Sequence, residues 1–269
     1  MAAECLIKKL DSGIDTFDIL GLNVAVTNID DAAKYIAGHA ERGLGGYVCA
    51  ANVHMCMESY DNNDFMQVVN NAAIVVPDGK PLFWWMKMFG VQTAQQVRGP
   101  DLFLKLCQIS EKSGLQVGLY GGSEKALAAL QKYIHLNYPS LNLVKLISPP
   151  YRSLAEEEQA SYITEINESG VKILFVGLGC PKQEKWMASN EDSVNAIMVG
   201  VGAAFDFYAG TLKMAPEWMK TCGLEWLYRL FSEPRRLWKR YLYNNPRFIL
   251  LFSVAWLRDR FISGKTYRK

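Results

Sequence analysis

Apolar runs that end in glycine-rich turns, each followed by a helical pattern, recur along this chain of 269 residues. Val117–Tyr120 (VGLY) reads as a buried strand, and GGSEKALAALQKYIHLNY as a glycine turn opening an amphipathic helix. Lys172–Gly179 (KILFVGLG) followed by CPKQEKWMASN repeats the design, with Pro181 at a first helical position, where its missing N–H costs nothing. Ala196–Phe207 ends in the same way, and Tyr47–Val53 and Ala73–Pro77 are further strands leading into helices. Strands that are apolar throughout are buried on both faces, and their alternation with helices predicts an α/β fold, a Rossmann-like parallel sheet flanked by helices. This core is expected over residues 1–212. The stretch AGTLKMAPEW reads as a linker, and from about Trp218 the pattern is helical only, so residues 213–269 are expected as a helical appendage.

Charge sharpens that division. From Arg229 onward the chain carries 11 Lys/Arg against Glu233 and Asp259, a net of +9; the whole chain is +2, so residues 1–228 hold −7. A basic tail interleaved with Trp, Tyr, Phe and Leu points to an anionic membrane surface rather than nucleic acid. Its apolar run Phe248–Leu257, 10 residues long, is about half of the ~20 needed to span a bilayer. That run and the terminal basic cluster are expected to form a surface helix beyond Asn244, distinct from the helical segment Glu225–Leu242 before it. The N-terminus MAAECLIKKLDSGID has no apolar core of a signal peptide. The six Cys (5, 49, 56, 107, 180, 222) form no CxxC pair and are expected as reduced, mostly buried thiols in a cytoplasmic protein. Three His with no ligand spacing argue against zinc.

In an open α/β sheet, ligands bind beyond the C-terminal ends of the strands. The turns Gly121-Gly122-Ser123 and Gly177–Gly179 fall there and suit a phosphate, since backbone without Cβ atoms can approach it and the next helix start offers free N–H groups. Glycine also ends strands for purely structural reasons, and neither turn is a GxxxxGK[ST] loop or a strict GxGxxG. Asp78, at the end of an apolar strand, either accepts a proton from a substrate hydroxyl or caps the helix that begins near Lys80. Asp206 either accepts hydrogen bonds from a base or sugar or is a strand-end turn residue. Arg98 either holds a sugar or phosphate or pairs with Asp101. His54 reads as polar lining or, preferably, as a satisfied core histidine, and His39 and His135 as surface residues. No two Asp are separated by a single residue, so a metal-binding DxD is absent; helix N-termini and basic side chains would have to neutralise a nucleotide diphosphate.

Seven motifs in order carry a resemblance: ANVH (51–54), VVPDGKPLFWW (75–85), RGPDLF (98–103), GLYGGSE (118–124), VGLGCPKQEKW (176–186), GVGAAFDFYAG (200–210) and GLEWLYRLFSEPRRLWKRYL (223–242). With them the chain resembles the WecG/TagA/CpsF family of bacterial glycosyltransferases from about residue 15 to 245. The resemblance implies an inverting hexosyltransferase working on the cytoplasmic membrane face. It would move N-acetylmannosamine, its uronic acid or glucose from a UDP-sugar to a polyprenyl-diphosphate-linked sugar. It implies Asp78 as the catalytic base, Asn52, Arg98 and Gln183 around the sugar, and Gly121, Gly122, Gly177, Gly179 and Asp206 facing the UDP. Arg229, Arg235, Arg236 and Arg240 would form the basic appendage that meets the lipid diphosphate and the membrane. No cofactor and no metal are implied, and a homo-oligomer is left open. Two positions depart from the family pattern: Ala50 stands where many members have Thr, and Met214 where many have Arg, with Lys213 adjacent. A Rossmann-type nucleotide-dependent oxidoreductase would explain the glycine turns but not the tail; a non-catalytic membrane adaptor would explain only the tail.

Overall fold

The computed structural model describes residues 7–9 and 13–262. Strands β1 (Ile7–Lys9), β2 (Asp15–Ile19) and β3 (Leu22–Ala25) form an antiparallel sheet. Its β2–β3 hairpin turns through Leu20 and Gly21, both at positive φ (54° and 92°), as a two-residue turn matched to strand twist requires. The chain continues through α1 (Ile29–Glu41), β4 (Gly46–Ala51), α2 (Val53–Asp61), α3 (Asn63–Asn70), β5 (Ile74–Pro77), α4 (Lys80–Met88) and α5 (Gly99–Ser113). Then come β6 (Val117–Gly121), α6 (Glu124–Asn137), β7 (Leu143–Ile147), α7 (Glu156–Glu168), β8 (Ile173–Gly177), α8 (Lys182–Ser189), β9 (Ile197–Gly200) and α9 (Ala204–Tyr208). Three helices finish it: α10 (Glu217–Thr221), α11 (Glu225–Ser232) and α12 (Pro234–Ile262).

Strands β4–β9 form the expected parallel sheet, in the order β5-β4-β9-β8-β6-β7. The alternation of side chains along each strand divides one apolar run between two cores. Tyr47, Cys49 and Ala51 of β4 face α2, α3, α4, α8 and α12, whereas Val48 and Ala50 face α1, α5, α6 and α9. Both faces are therefore covered, which is why these strands read as continuous rather than alternating. The chain runs from β4 outward to one edge and from β6 outward to the other, and β8 and β9 fill the middle. The C-terminal ends of the inner strands consequently border a crevice at a topological switch point.

The expected boundary near residue 212 falls in the irregular stretch between α9 and α10. The helices after it fold back over the core. Leu237 and Phe248 of α12 are buried, and Phe248 and Phe252 close on Trp85 at ring-centroid distances of 5.2 and 4.8 Å. Arg247 forks onto Asp61 of α2 at 2.6 and 2.8 Å. The expected division at Asn244 is thus not a structural one. Helix α12 runs unbroken through Asn244 and Pro246, and its second half is anchored on the core by an aromatic cluster and an ion pair. The terminal basic cluster (Lys265, Arg268, Lys269) lies outside the described residues, as does Cys5. Cys49, Cys56 and Cys107 are buried free thiols, Cys180 is half-buried and Cys222 is exposed. Among the described residues no helix is long and apolar enough to cross a membrane.

Candidate active site

Strand β5 ends beside β4, where Asp78 and Gly79 both donate their N–H groups to the Ala51 carbonyl (2.8 and 3.0 Å). This crossing sets Asp78 against Asn52. Glycine at 79 eases this approach, since a Cβ there would stand 3.1 Å from Asn52 Cα and push it back by a few tenths of an ångström. The Asp78 carboxylate does not cap α4, whose N-cap is Gly79 without a side-chain hydrogen bond. Its Oδ1 instead accepts from the Gly99 N–H at 2.9 Å, at the start of α5. The group is enclosed by protein yet lines the cleft. Burial pushes its pKa up to about 6; the Gly99 N–H, Arg98 and the Asn52 amide oppose this, and Glu225 adds to it. Asn52 caps α2 through Oδ1, which accepts from the N–H groups of His54 and Met55 (3.1 and 3.3 Å).

Arg98 is buried and paired twice, with Asp101 at 3.2 Å and with Glu225 of α11 at 3.0 Å. The pairing with Asp101 is one of the two readings its sequence position allowed; Glu225 was not anticipated. A partner 127 positions away leaves no spacing signal, and in sequence Glu225 is only an acidic residue in a helix's first turn. His54 meets both readings of its position: it lines the cleft and its ring is satisfied. Asn244 Nδ2 donates to its Nδ1 at 3.1 Å, the ring bonds the Cys180 backbone, and burial lowers its pKa to about 3, so it is neutral.

Gln183 reaches the cleft wall but is almost fully buried. Its Oε1 accepts from the Gly179 N–H at 3.2 Å and its Nε2 donates to Glu184 Oε1 at 2.7 Å. Its observed work is to hold the loop after β8. Glu184, likewise missed in sequence, has no exposed surface, and burial raises its pKa. The glycine turns divide. A Cβ at Gly121 would lie 2.5 Å from the Gly177 carbonyl oxygen, and one at Gly177 would lie 2.6 Å from the Phe205 ring. These two glycines serve the close packing of β6, β8 and α9, and Gly121 is not among the cleft-lining residues. Gly122 and Gly179, at φ 69° and 79°, line the cleft with Gly177 and Asp206. Asp206 Oδ1 also accepts from the Thr211 hydroxyl at 3.2 Å.

Of the four arginines expected together, Arg229, Arg236 and Arg240 line the cleft. Arg240 Nη2 stands 3.4 Å from Asn52 Oδ1, and the Arg229 guanidinium lies over the Phe207 ring at 5.7 Å. Arg235 is exposed and does not line the cleft; it follows Pro234 at the start of α12 and turns from the face that carries 236 and 240. The cleft encloses about 1830 Å³ and runs along the C-terminal ends of β4, β5, β6, β8 and β9 beneath α11 and α12. Lys80, Lys125 and Lys182 join the three arginines around it, a cationic lining suited to a diphosphate. Trp186, stacked on the buried Tyr120 ring at 4.2 Å, gives it a flat aromatic wall. Among the described residues no group of three or more His, Cys, Asp or Glu side chains is placed to hold a metal ion.

Residues 17–261 match the glycosyl transferase WecG/TagA/CpsF family. Over 226 residues the chain is 25% identical to the N-acetylglucosaminyldiphosphoundecaprenol N-acetyl-beta-D-mannosaminyltransferase of Bacillus subtilis strain 168, covering 83% of this chain and 86% of that one. It is 26% identical over 212 residues to the enzyme of the same description from Bacillus spizizenii, covering 78% and 80%.

Proposed function

This chain belongs to the WecG/TagA/CpsF family of glycosyl transferases, and from that premise we propose that it moves an N-acetylmannosamine-type sugar from a UDP-sugar to a polyprenyl-diphosphate-linked sugar. Family membership makes it an enzyme and sets aside the oxidoreductase and adaptor readings. The acceptor class and the donor sugar follow the descriptions of the two Bacillus relatives.

The observation that carries the mechanism is Asp78: a carboxylate at a strand end on the cleft wall, held by the Gly99 N–H, with a pKa of about 6. At neutral pH it is mostly ionised and close enough to neutrality to take a proton efficiently. Asp78 receives the proton of the acceptor hydroxyl as that oxygen bonds to the anomeric carbon. The bond from that carbon to the UDP oxygen breaks, and its electron pair leaves on the diphosphate. One displacement inverts the anomeric centre. Charge on the leaving diphosphate is met by the cleft's arginines and lysines and by the backbone N–H group at Gly122, without a metal ion. The flat Trp186 wall suits the face of a base or sugar.

Membrane attachment is proposed from α12. Leu250, Val254, Leu257 and Phe261 recur at intervals of 3–4 residues and are all at least 45% exposed, an apolar stripe facing away from the core. It fits a peripheral enzyme on the inner membrane face. The decisive experiment incubates the protein with a panel of UDP-sugars and a short-chain lipid-diphosphate N-acetylglucosamine, with and without a chelator. Inverted sugar transfer, unchanged by the chelator, is expected. Transfer from no UDP-sugar, or thermal stabilisation by NADH and not by UDP, would sink the reading.

A further inference from the structure

The cleft has a lobe that the sugar-transfer chemistry does not use. From Asp78 it passes Lys80, Arg236 and Arg240 and then becomes an apolar trough between α4 and α12. Buried Trp85 and Phe248 form its floor, closed by Phe252 at 4.8 Å from Trp85. Trp84 and Met88, one helical turn apart on α4, make one wall at 43% and 48% exposure. Leu242 and Ile249, two turns apart on α12, make the other at 64% and 62%. Large apolar side chains are costly to leave in water in such number unless something covers them.

The wall is built rather than incidental. Gly223, at φ 72°, brings the turn before α11 against Trp84 so closely that a Cβ there would lie 2.5 Å from the indole ring. The turn thus packs against the end of the indole, and the Lys80 side chain meets the same glycine, 3.3 Å from where its Cβ would stand.

We propose that this trough holds the isoprenoid chain next to the diphosphate of the acceptor, an assignment that rests on the acceptor class proposed above. The ligand's order of parts matches the order of the lining. The reacting sugar lies at Asp78, the diphosphate at Lys80, Arg236 and Arg240, and the hydrocarbon along Trp84, Met88 and Ile249. A nucleotide-sugar donor has no apolar end to place there. Because the trough opens beside the exposed stripe of α12, the chain would leave the enzyme where a bilayer would begin.

The test is direct binding, independent of turnover, with farnesyl diphosphate and inorganic diphosphate as probes on the full chain. Farnesyl diphosphate is expected to bind at least about tenfold more tightly than inorganic diphosphate, as burial of a few methylenes requires. The double variant Met88→Gln/Ile249→Gln, at half-exposed positions, is expected to erase that difference while binding inorganic diphosphate as before; Met88→Leu should retain it. Equal binding of the two probes by the wild type overturns the proposal, as does equal weakening of both in the double variant. Loss of binding to phosphatidylcholine vesicles with farnesyl diphosphate binding unchanged also overturns it, marking the trough as a bilayer contact. A protein that discriminates between the probes as expected yet transfers no sugar supports the trough and sinks the transfer reading instead.

Discussion

At the scale of single residues, Asp78, the proposed base, carries a cost in stability. Its carboxyl is raised from 3.8 to about 6 on folding, so the fold favours the protonated form. That contribution is fully present below pH 3.8 and is lost as pH rises through 6. Above pH 6 the ionised group costs the fold about 2 kcal/mol, allowing for solvent screening at the cleft. Asp78→Asn is therefore expected to lower kcat by about 10²–10⁴-fold. At pH 7.5 it should raise the melting temperature by about 4–8 °C, as calorimetry would show. A loss of both activity and stability would contradict this account. The same group should give the pH profile of kcat/KM an acid limb near 6. The sequence placed Asp78 at a strand end, and there it stands, but its partner Gly99 was invisible, since the two meet only when α5 returns to the strand ends. For Arg98 the sequence offered the Asp101 partner but not Glu225, and for Gln183 it offered neither of the groups it bonds. Gln183 props the Gly179 loop, and Arg98 is saturated by two carboxylates.

At the scale of elements, the Arg98–Glu225 ion pair fastens α11 beside Asp78. Glu225→Gln removes a negative charge that raises the Asp78 pKa and frees Arg98 to lower it further. The acid limb is therefore expected to move below 6 while stability falls by about 1–2 kcal/mol. An unmoved limb would show that the two carboxyls do not interact. Helix α12 is held at Asn244, Arg247, Phe248 and Phe252, so its second half is part of the fold. Phe248→Ala, at a site 3% exposed, is expected to cost about 3–4 kcal/mol in denaturant unfolding. Truncation after Asn244 should therefore reduce transfer even to a soluble acceptor, as an assay of sugar transfer by the truncated chain would show. Chain pattern announced this helix but not its docking, because an apolar run of ten residues with flanking charge reads alike against a membrane and against a core.

At the scale of the whole molecule, two apolar features share one helix and are separable by experiment. Replacing Leu250, Val254 and Leu257 by Glu is expected to abolish binding to anionic vesicles. Since all three are at least 45% exposed, stability should stay within about 0.5 kcal/mol. Retained vesicle binding would move the membrane contact elsewhere. The sequence by itself determined the α/β class, the strand ends on which chemistry could stand, the family, and the charge asymmetry of the tail. Those properties reside in local periodicity and in motif order, which survive without coordinates. Only the tertiary structure decided that Asp78 meets Gly99 and not the start of its own next helix. It alone showed that Gly121 and Gly177 are small so that β6, β8 and α9 can touch, and that Arg236 and Arg240 face the cleft while Arg235 does not. It also turned a tail that read as an appendage into the roof of the site. The physical reason is common to all four. Each depends on which distant segments share a few ångströms, and burial and charge pairing over such distances are set by packing rather than by spacing along the chain.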